Sequence, residues 1–283
     1  MNILILLADS FLSYKAVPLG KCIKSCSTLN LELEKSALEM GKDVSHPNIF
    51  VLFCDRSLLV VDKPAGMTTL PDGYNKNIPY LKEILEAKYG RLWVVHRLDR
   101  GTSGLIIFAR TSKSHKNLNA QFEKHLVGKT YHTLVVGEPD WKYKRVDIPL
   151  LANGDRRHRT VVDTQRGKTS ITIFRSLERF GNYALLEAKP RTGRTHQIRA
   201  HLANIGFPIV ADELYGGGKS ITLKDIWADG KWSVSEDSPI ISRPCLHAAS
   251  LTFTHPILGK KLSFRAQHHK DFDMLLGILR NEI

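Results

Sequence analysis

Ten consecutive residues, His96-Arg97-Leu98-Asp99-Arg100-Gly101-Thr102-Ser103-Gly104-Leu105, crowd two arginines and a histidine around one carboxylate. A carboxylate acts as nucleophile or base only while ionised, and nearby cations favour that form. The strand-like Trp93-Val94-Val95 feeds Asp99 and the strand-like Gly104–Arg110 leaves it, so Asp99 falls on a tight connection where Gly101 and Gly104 permit unusual backbone angles. The bland alternative is a turn aspartate that bonds its own backbone.

A second cluster, Arg191-Thr-Gly-Arg194-Thr-His196-Gln-Ile198-Arg199, places three arginines and a histidine at the opening of a predicted helix, whose N-terminal amides favour anions. His196 and Arg199 share a face roughly opposite the apolar Ile198, Leu202 and Ile205. That face holds a phosphate, reaches a carboxylate elsewhere, or is simply solvated. Tyr131, two residues after Lys129, is either core packing with its hydroxyl at the rim or a flat surface on which a base can stack. The basic runs 142–145 and 154–159 are expected in connecting segments, where arginine-rich loops suit phosphate backbones.

Metal chemistry is not expected. His196 and His201 are five apart and do not face each other on a helix, the H-E-x-x-H spacing is absent, and no carboxylate-rich run accompanies His247 or His268-His269. Cys22 and Cys26 lack a second pair at zinc-finger spacing. Neither a P-loop nor a G-x-G-x-x-G dinucleotide fingerprint occurs.

The elements that must carry these groups follow from periodicity. Residues 58–61 form a buried strand ended by Lys63-Pro64 and Gly66. A helix runs from near Pro79 to Gly90, and another over 112–128, where Leu118, Phe122 and Leu126 stack four residues apart. Residues 129–136 alternate as a strand, with Tyr131, Thr133 and Val135 on one face. Two hairpins follow, around Gly181-Asn182 and around Pro256–Gly259, with the arginine helix between them and a long irregular loop over 213–240. Hairpin-joined strands with few helices predict an α+β fold, a mainly antiparallel mixed sheet flanked by a few helices. Residues 1–49 read as an extension or small accessory segment, with a short helix ending at Gly41, and 50–283 as the main domain. The apolar Met1–Ala8 is too short to span a bilayer and lacks a basic leader, so cytoplasm is the default. The formal charge of +13 is the usual footprint of a nucleic-acid partner, although a basic soluble protein or an anionic membrane surface would also suit it.

Five blocks in order resemble the RluA-type pseudouridine synthases, over about residues 50 to 268: SLLVVDKPAGM, HRLDRGTSGL, KTYHTLVVG, KPRTGRTHQIRAHL and LHAASLTFTHP. The resemblance implies the pseudouridine synthase catalytic fold, with its site in a central basic cleft. It implies isomerisation of uridine to pseudouridine in structured RNA, foremost large-subunit ribosomal RNA, with transfer RNA as the alternative. A non-catalytic RNA-binding protein on the same scaffold is the runner-up. Asp99 would be the nucleophile, Arg199 its partner, and Tyr131 the residue that packs on the base and takes its C5 proton. Arg97 would hold the RNA open, Arg194 and His196 would contact RNA, and Ile198 and Leu246 would line the uracil pocket. The reaction involves neither redox change nor hydrolysis, so no cofactor is implied, and a monomer is expected. The chain departs from the family pattern in carrying Met67-Thr68-Thr69 where many members have a histidine, Ala211-Asp212 for the usual Gly-Asp, and Gly101 where an acid is common.

Overall fold

A computed structural model describes residues 49–73, 78–226 and 238–281, with the backbone of a short strand at 17–18. The helix expected to end at Gly41, the apolar start and Cys22 and Cys26 lie outside the described residues, as does the middle of the 213–240 loop.

In chain order the strands and helices are β1 (Val17–Pro18), β2 (Phe50–Cys54), β3 (Leu58–Lys63), α1 (Leu81–Tyr89), β4 (Trp93–Val94), β5 (Ser103–Ala109), α2 (Ser112–Glu123), β6 (Gly128–Val136) and β7 (Tyr143–Asp147). They continue with β8 (Leu150–Leu151), β9 (Val161–Val162), β10 (Ile171–Arg179), β11 (Tyr183–Pro190), α3 (Gln197–Asn204), α4 (Leu223–Ile226), β12 (Leu246–Thr254), β13 (Lys261–Arg265) and α5 (Lys270–Asn281). Among the described residues one sheet runs β1-β2-β3-β5-β12-β6-β11-β10-β7, with β13 beside β12 and β4 beside β5. Within it β12 and β5 pair in parallel, and the other pairs are antiparallel. This is the α+β sheet the hairpins predicted.

The central strands β3 and β5 are buried along their whole length, as continuous apolar runs require when both sheet faces are covered. Leu59 and Val61 pack with Leu81 and Leu85 of α1, while Leu58 and Val60 face the other way onto Leu118 of α2. The third large cluster joins β6 and β11 to Ile198 and Leu202 of α3 and to Phe272, Leu275, Leu276 and Leu279 of α5. Helix α5 had no counterpart among the sequence expectations, although those four residues carry the i, i+3, i+4, i+7 stripe of an amphipathic helix.

Two expectations are corrected. Helix α2 stops at Lys124: His125 turns into the left-handed region (φ 56), its N–H donates to Phe122 O at 3.1 Å, and Leu126 N–H donates to Gln121 O at 2.9 Å. This reversal closes the helix and starts β6, so Leu126 leaves the apolar stack and is 67% exposed. The basic run 142–145 lies largely on β7, which pairs with β10 at the end of the sheet, rather than in a connection. Charged side chains there suit an edge strand, whose free side must not invite further pairing.

Candidate active site

Asp99 sits on the turn between β4 and β5, and the turn is tied down from three directions. Thr102 N–H donates to Asp99 O at 3.0 Å and Gly66 N–H to Arg100 O at 2.8 Å. The Lys63 ammonium, fully buried at the end of β3, donates to Pro64 O at 2.9 Å, Met67 O at 2.8 Å and Arg100 O at 3.5 Å. Burial pushes the Lys63 pKa down to about 7, against the pull of the Asp99 charge. From the third side Arg243, clamped by both oxygens of Asp271 at 2.7 Å, donates to Gly101 O at 3.4 Å. The glycines are required by close approach. A Cβ on Gly101 would lie 2.8 Å from Pro244 Cδ, and one on Gly104 (φ 106) 2.4 Å from Ala248 O. Both contacts press the turn against β12 and the segment that enters it.

The cation facing Asp99 comes from α3. Arg199 Nη1 donates to Asp99 Oδ2 at 3.3 Å, while its Nε and Nη2 donate to Asp212 Oδ2 and Oδ1 at 2.7 and 2.8 Å. Asp212 is fully buried and Arg199 nearly so, with the guanidinium also lying over the Tyr215 ring at 4.9 Å. Arg100, adjacent to Asp99 in sequence, instead donates from Nε to Gly66 O at 3.0 Å, and Arg97 is exposed. The arginine paired with the carboxylate is therefore distant in sequence.

The expected helix opening is shifted. Gln197 is the first helical residue of α3, and His196 precedes it in a left-handed conformation (φ 51). Residues 197–202 are all buried, so the polar side of the helix is not a solvated face. Instead it is packed against carboxylates and strand ends: His201 hydrogen-bonds Thr172 Oγ1 at 2.9 Å and Ile148 O at 3.1 Å, and Gln197 Nε2 donates to Ile171 O at 2.9 Å. His196 Nε2 lies 3.7 Å from Asp99 Oδ2.

These groups open onto a cleft of about 600 Å³, and all eight residues anticipated from the sequence line it: Asp99, Tyr131, Arg199, Arg97, Arg194, His196, Ile198 and Leu246. Tyr131 reaches it from β6 and Leu246 from the adjoining β12, whose register places Leu246 opposite Thr133. Burial, and then the Asp99 charge, push the Tyr131 phenol above its ordinary pKa. Sequence reasoning missed Lys129, which also lines the cleft and which burial lowers to about 8. It missed Asp212 and Tyr215, whose signal was the Ala-Asp-Glu-Leu-Tyr-Gly-Gly string. His96 is structural: Ile107 N–H donates to its Nε2 at 3.1 Å and it stacks on Phe122 at 4.7 Å. Among the described residues no group of three or more His, Cys, Asp or Glu is arranged to hold a metal, and no helix is long and apolar enough to cross a membrane. A cationic wall, a paired carboxylate and an apolar floor with one phenol can bind a polyanion, accept a flat heterocycle and present a carboxylate to it.

Residues 57–204 match the family model described as RNA pseudouridylate synthase. The ribosomal large subunit pseudouridine synthase D of Zymomonas mobilis is 33% identical over 264 residues, covering 90% of this chain and 79% of that protein. The dual-specificity RNA pseudouridine synthase RluA of Haemophilus influenzae is 32% identical over 222 residues, covering 78% of this chain and 94% of that protein. Among solved structures, human RNA pseudouridylate synthase domain containing 4 superposes with a TM-score of 0.61 at 22% identity, covering 81% of this chain and 92% of that one, which establishes the shared fold.

Proposed function

The chain belongs to the RNA pseudouridylate synthase family, and from that membership we propose that it isomerises uridine in large-subunit ribosomal RNA with Asp99 as nucleophile. The observation that carries the assignment of Asp99 is its ion pair with Arg199, itself locked by buried Asp212, at the wall of the cleft. The choice of ribosomal RNA follows relatives such as the Zymomonas mobilis and Pseudomonas aeruginosa proteins, both named for the ribosomal large subunit.

In this reading the target nucleotide leaves its stack and its base enters the cleft against Tyr131, between Ile198 and Leu246. Leaving the stack costs about a few kcal/mol, which stacking on the tyrosine and contacts from Arg97 and Arg194 offset. The N1–C1′ bond breaks, the uracil turns, and a C5–C1′ bond forms. Tyr131 acts as a relay: its hydroxyl passes its own proton toward N1 as its oxygen takes the one leaving C5, so the phenol ends as it began and atoms and electrons balance with no cofactor. Asp99 bonds to the sugar or base, or assists departure of the uracil; either route uses the carboxylate, against which the Arg199 guanidinium is held at 3.3 Å. The reading takes the enzyme as a cytoplasmic monomer, with residues 1–49 an accessory segment.

RNA carrying C5-tritiated uridine tests it. The protein should release tritium from large-subunit ribosomal RNA, and Asp99→Asn should stop release. Turnover by that variant would remove Asp99 from the mechanism. Transfer RNA transcripts in the same assay separate the two substrate classes.

A further inference from the structure

We propose that His196 reads the ribose 2′-hydroxyl of the reacting nucleotide and so distinguishes RNA from DNA at that position. The inference rests on the reading that Asp99 meets the reacting sugar.

The backbone of His196 is strained. A left-handed conformation (φ 51, ψ 20) costs a residue with a Cβ about 1–2 kcal/mol. Helix capping does not explain it, because His196 makes no side-chain cap hydrogen bond to α3. The conformation serves to present the ring. Nδ1 meets the Tyr215 hydroxyl at 3.1 Å, with the two rings edge to face at 5.7 Å. Tyr215 is itself fixed, accepting from Thr160 N–H at 2.9 Å and donating to Thr160 O at 3.2 Å. One ring nitrogen is thus pinned and the other is left facing the nucleophile.

That second nitrogen is unspent. Nε2 stands 3.7 Å from Asp99 Oδ2, beyond hydrogen-bond distance, and has no hydrogen-bond partner among the described residues. His196 lines the cleft. A reacting carboxylate oxygen must approach the sugar at C1′, or the carbon beside it, to about 3–3.5 Å. The 2′-oxygen is bonded to C2′, next to C1′, so it falls within reach of a nitrogen this close to the same carboxylate oxygen. Arg199, the other ion-pair partner of Asp99, is held in place by Asp212 through Nε and Nη2 and directs Nη1 to Asp99. Chemistry matches geometry here. Burial lowers the His196 pKa, although Asp99 opposes it, so the ring is neutral near neutral pH. A neutral imidazole offers one donor and one acceptor, and a 2′-hydroxyl can be either.

Affinity tests this without turnover. Two RNA oligonucleotides, identical except for a 2′-hydroxyl or a 2′-hydrogen on the target uridine, are titrated against protein carrying Asp99→Asn. The hydroxyl form should bind about tenfold tighter, equivalent to about 1.4 kcal/mol. Adding His196→Gly should abolish that preference by weakening only the hydroxyl form, leaving the deoxy form within about twofold. Glycine suits both the left-handed backbone and the N-cap, and an unchanged melting temperature checks the fold. His196→Asn, which also tolerates the left-handed region but is too short to reach, must behave alike. A preference that survives either substitution, equal weakening of both oligonucleotides, or no preference before substitution would each overturn the proposal. Failure of the Asp99 assignment is read separately, as tritium release by Asp99→Asn.

Discussion

Asp212 grips Arg199 side-on with both carboxylate oxygens, at 2.7 and 2.8 Å, and leaves a single nitrogen of the guanidinium to reach Asp99 at 3.3 Å. A fully buried carboxylate thus sets the position of the cation that serves the partly buried one. Asp212→Asn keeps one acceptor oxygen but loses the charge and the fork. It should lower the tritium-release rate about 10- to 100-fold, the effect of misplacing a reacting group by about an ångström. Asp212→Ala strands the buried guanidinium and should lose about 3–5 kcal/mol of stability in urea unfolding. Full activity in the Asn variant would show that Asp99 does not depend on this anchor.

Tyr131 separates stacking from proton transfer. Tyr131→Phe retains the ring and should bind RNA within about twofold of the parent, because stacking does not need the hydroxyl. Its turnover should fall by at least about 100-fold if the hydroxyl accepts the C5 proton. Tyr131→Ala should lose both, with binding weaker by about 1–3 kcal/mol. Single-turnover tritium release and fluorescence titration read the two effects independently. A fully active Phe variant would assign the proton to another group, for which Lys129, lowered to about 8 by burial in the same cleft, is placed.

Strings of local sequence carried most of the site. The Asp99 turn, the Lys-x-Tyr strand and the arginine helix are each legible because their chemistry lies within ten or so residues. Their convergence was legible only through the family resemblance, since the Asp99–Arg199 pair spans a hundred residues and depends on the β5–β12–β6 order of the sheet. The left-handed turn of His196 is invisible because histidine, although enriched in that conformation, adopts it in only a minority of its occurrences. Ala211 shows why. It also adopts a left-handed conformation (φ 58), yet its methyl is buried in the α3 core. A strain of about 1 kcal/mol is there nearly offset by about 0.8 kcal/mol for a buried methyl group, and composition gives no hint of either. Helix α5 was missed for a different reason: two histidines and alternating acids at its start obscure the apolar stripe.

Acid should destabilise the protein through its histidines before its carboxylates titrate. Burial, followed by the Lys129 charge, lowers His96 to about 3, and burial, followed by His132, lowers His268 to about 4. His247 is pushed well down by burial, with Nδ1 on Ser103 Oγ at 3.0 Å, and His132 is lowered by burial with Nδ1 against His268 Nε2 at 2.7 Å. The ordinary value is about 6.5. Between pH 6.5 and about 4 the unfolded chain therefore binds protons that the folded chain refuses, so stability rises with pH in this window and is lost as pH falls. Urea midpoints at pH 7, 6 and 5 should decline steadily. His268→Asn should flatten that decline by up to one proton, whereas an unchanged slope would mean that the cluster is already charged when folded.

The loop 154–159 should contribute to RNA affinity without touching chemistry. Arg156 and Arg157 are exposed, whereas Arg159 is spent on Asp155 at 2.6 Å. The loop is fastened at its end to the cleft wall: Thr160 Oγ1 donates to Thr195 O at 2.9 Å and Thr160 N–H to Tyr215 Oη at 2.9 Å. Each phosphate contact made by an exposed guanidinium adds about 0.7–0.9 to the slope of log affinity against log salt. Replacing both Arg156 and Arg157 with Ala should reduce that slope by about 1.5 and weaken binding most at low salt. The rate at saturating RNA should stay unchanged, because neither residue lines the cleft. An unaltered slope would place the RNA path on the other side of the cleft, along the exposed Arg97.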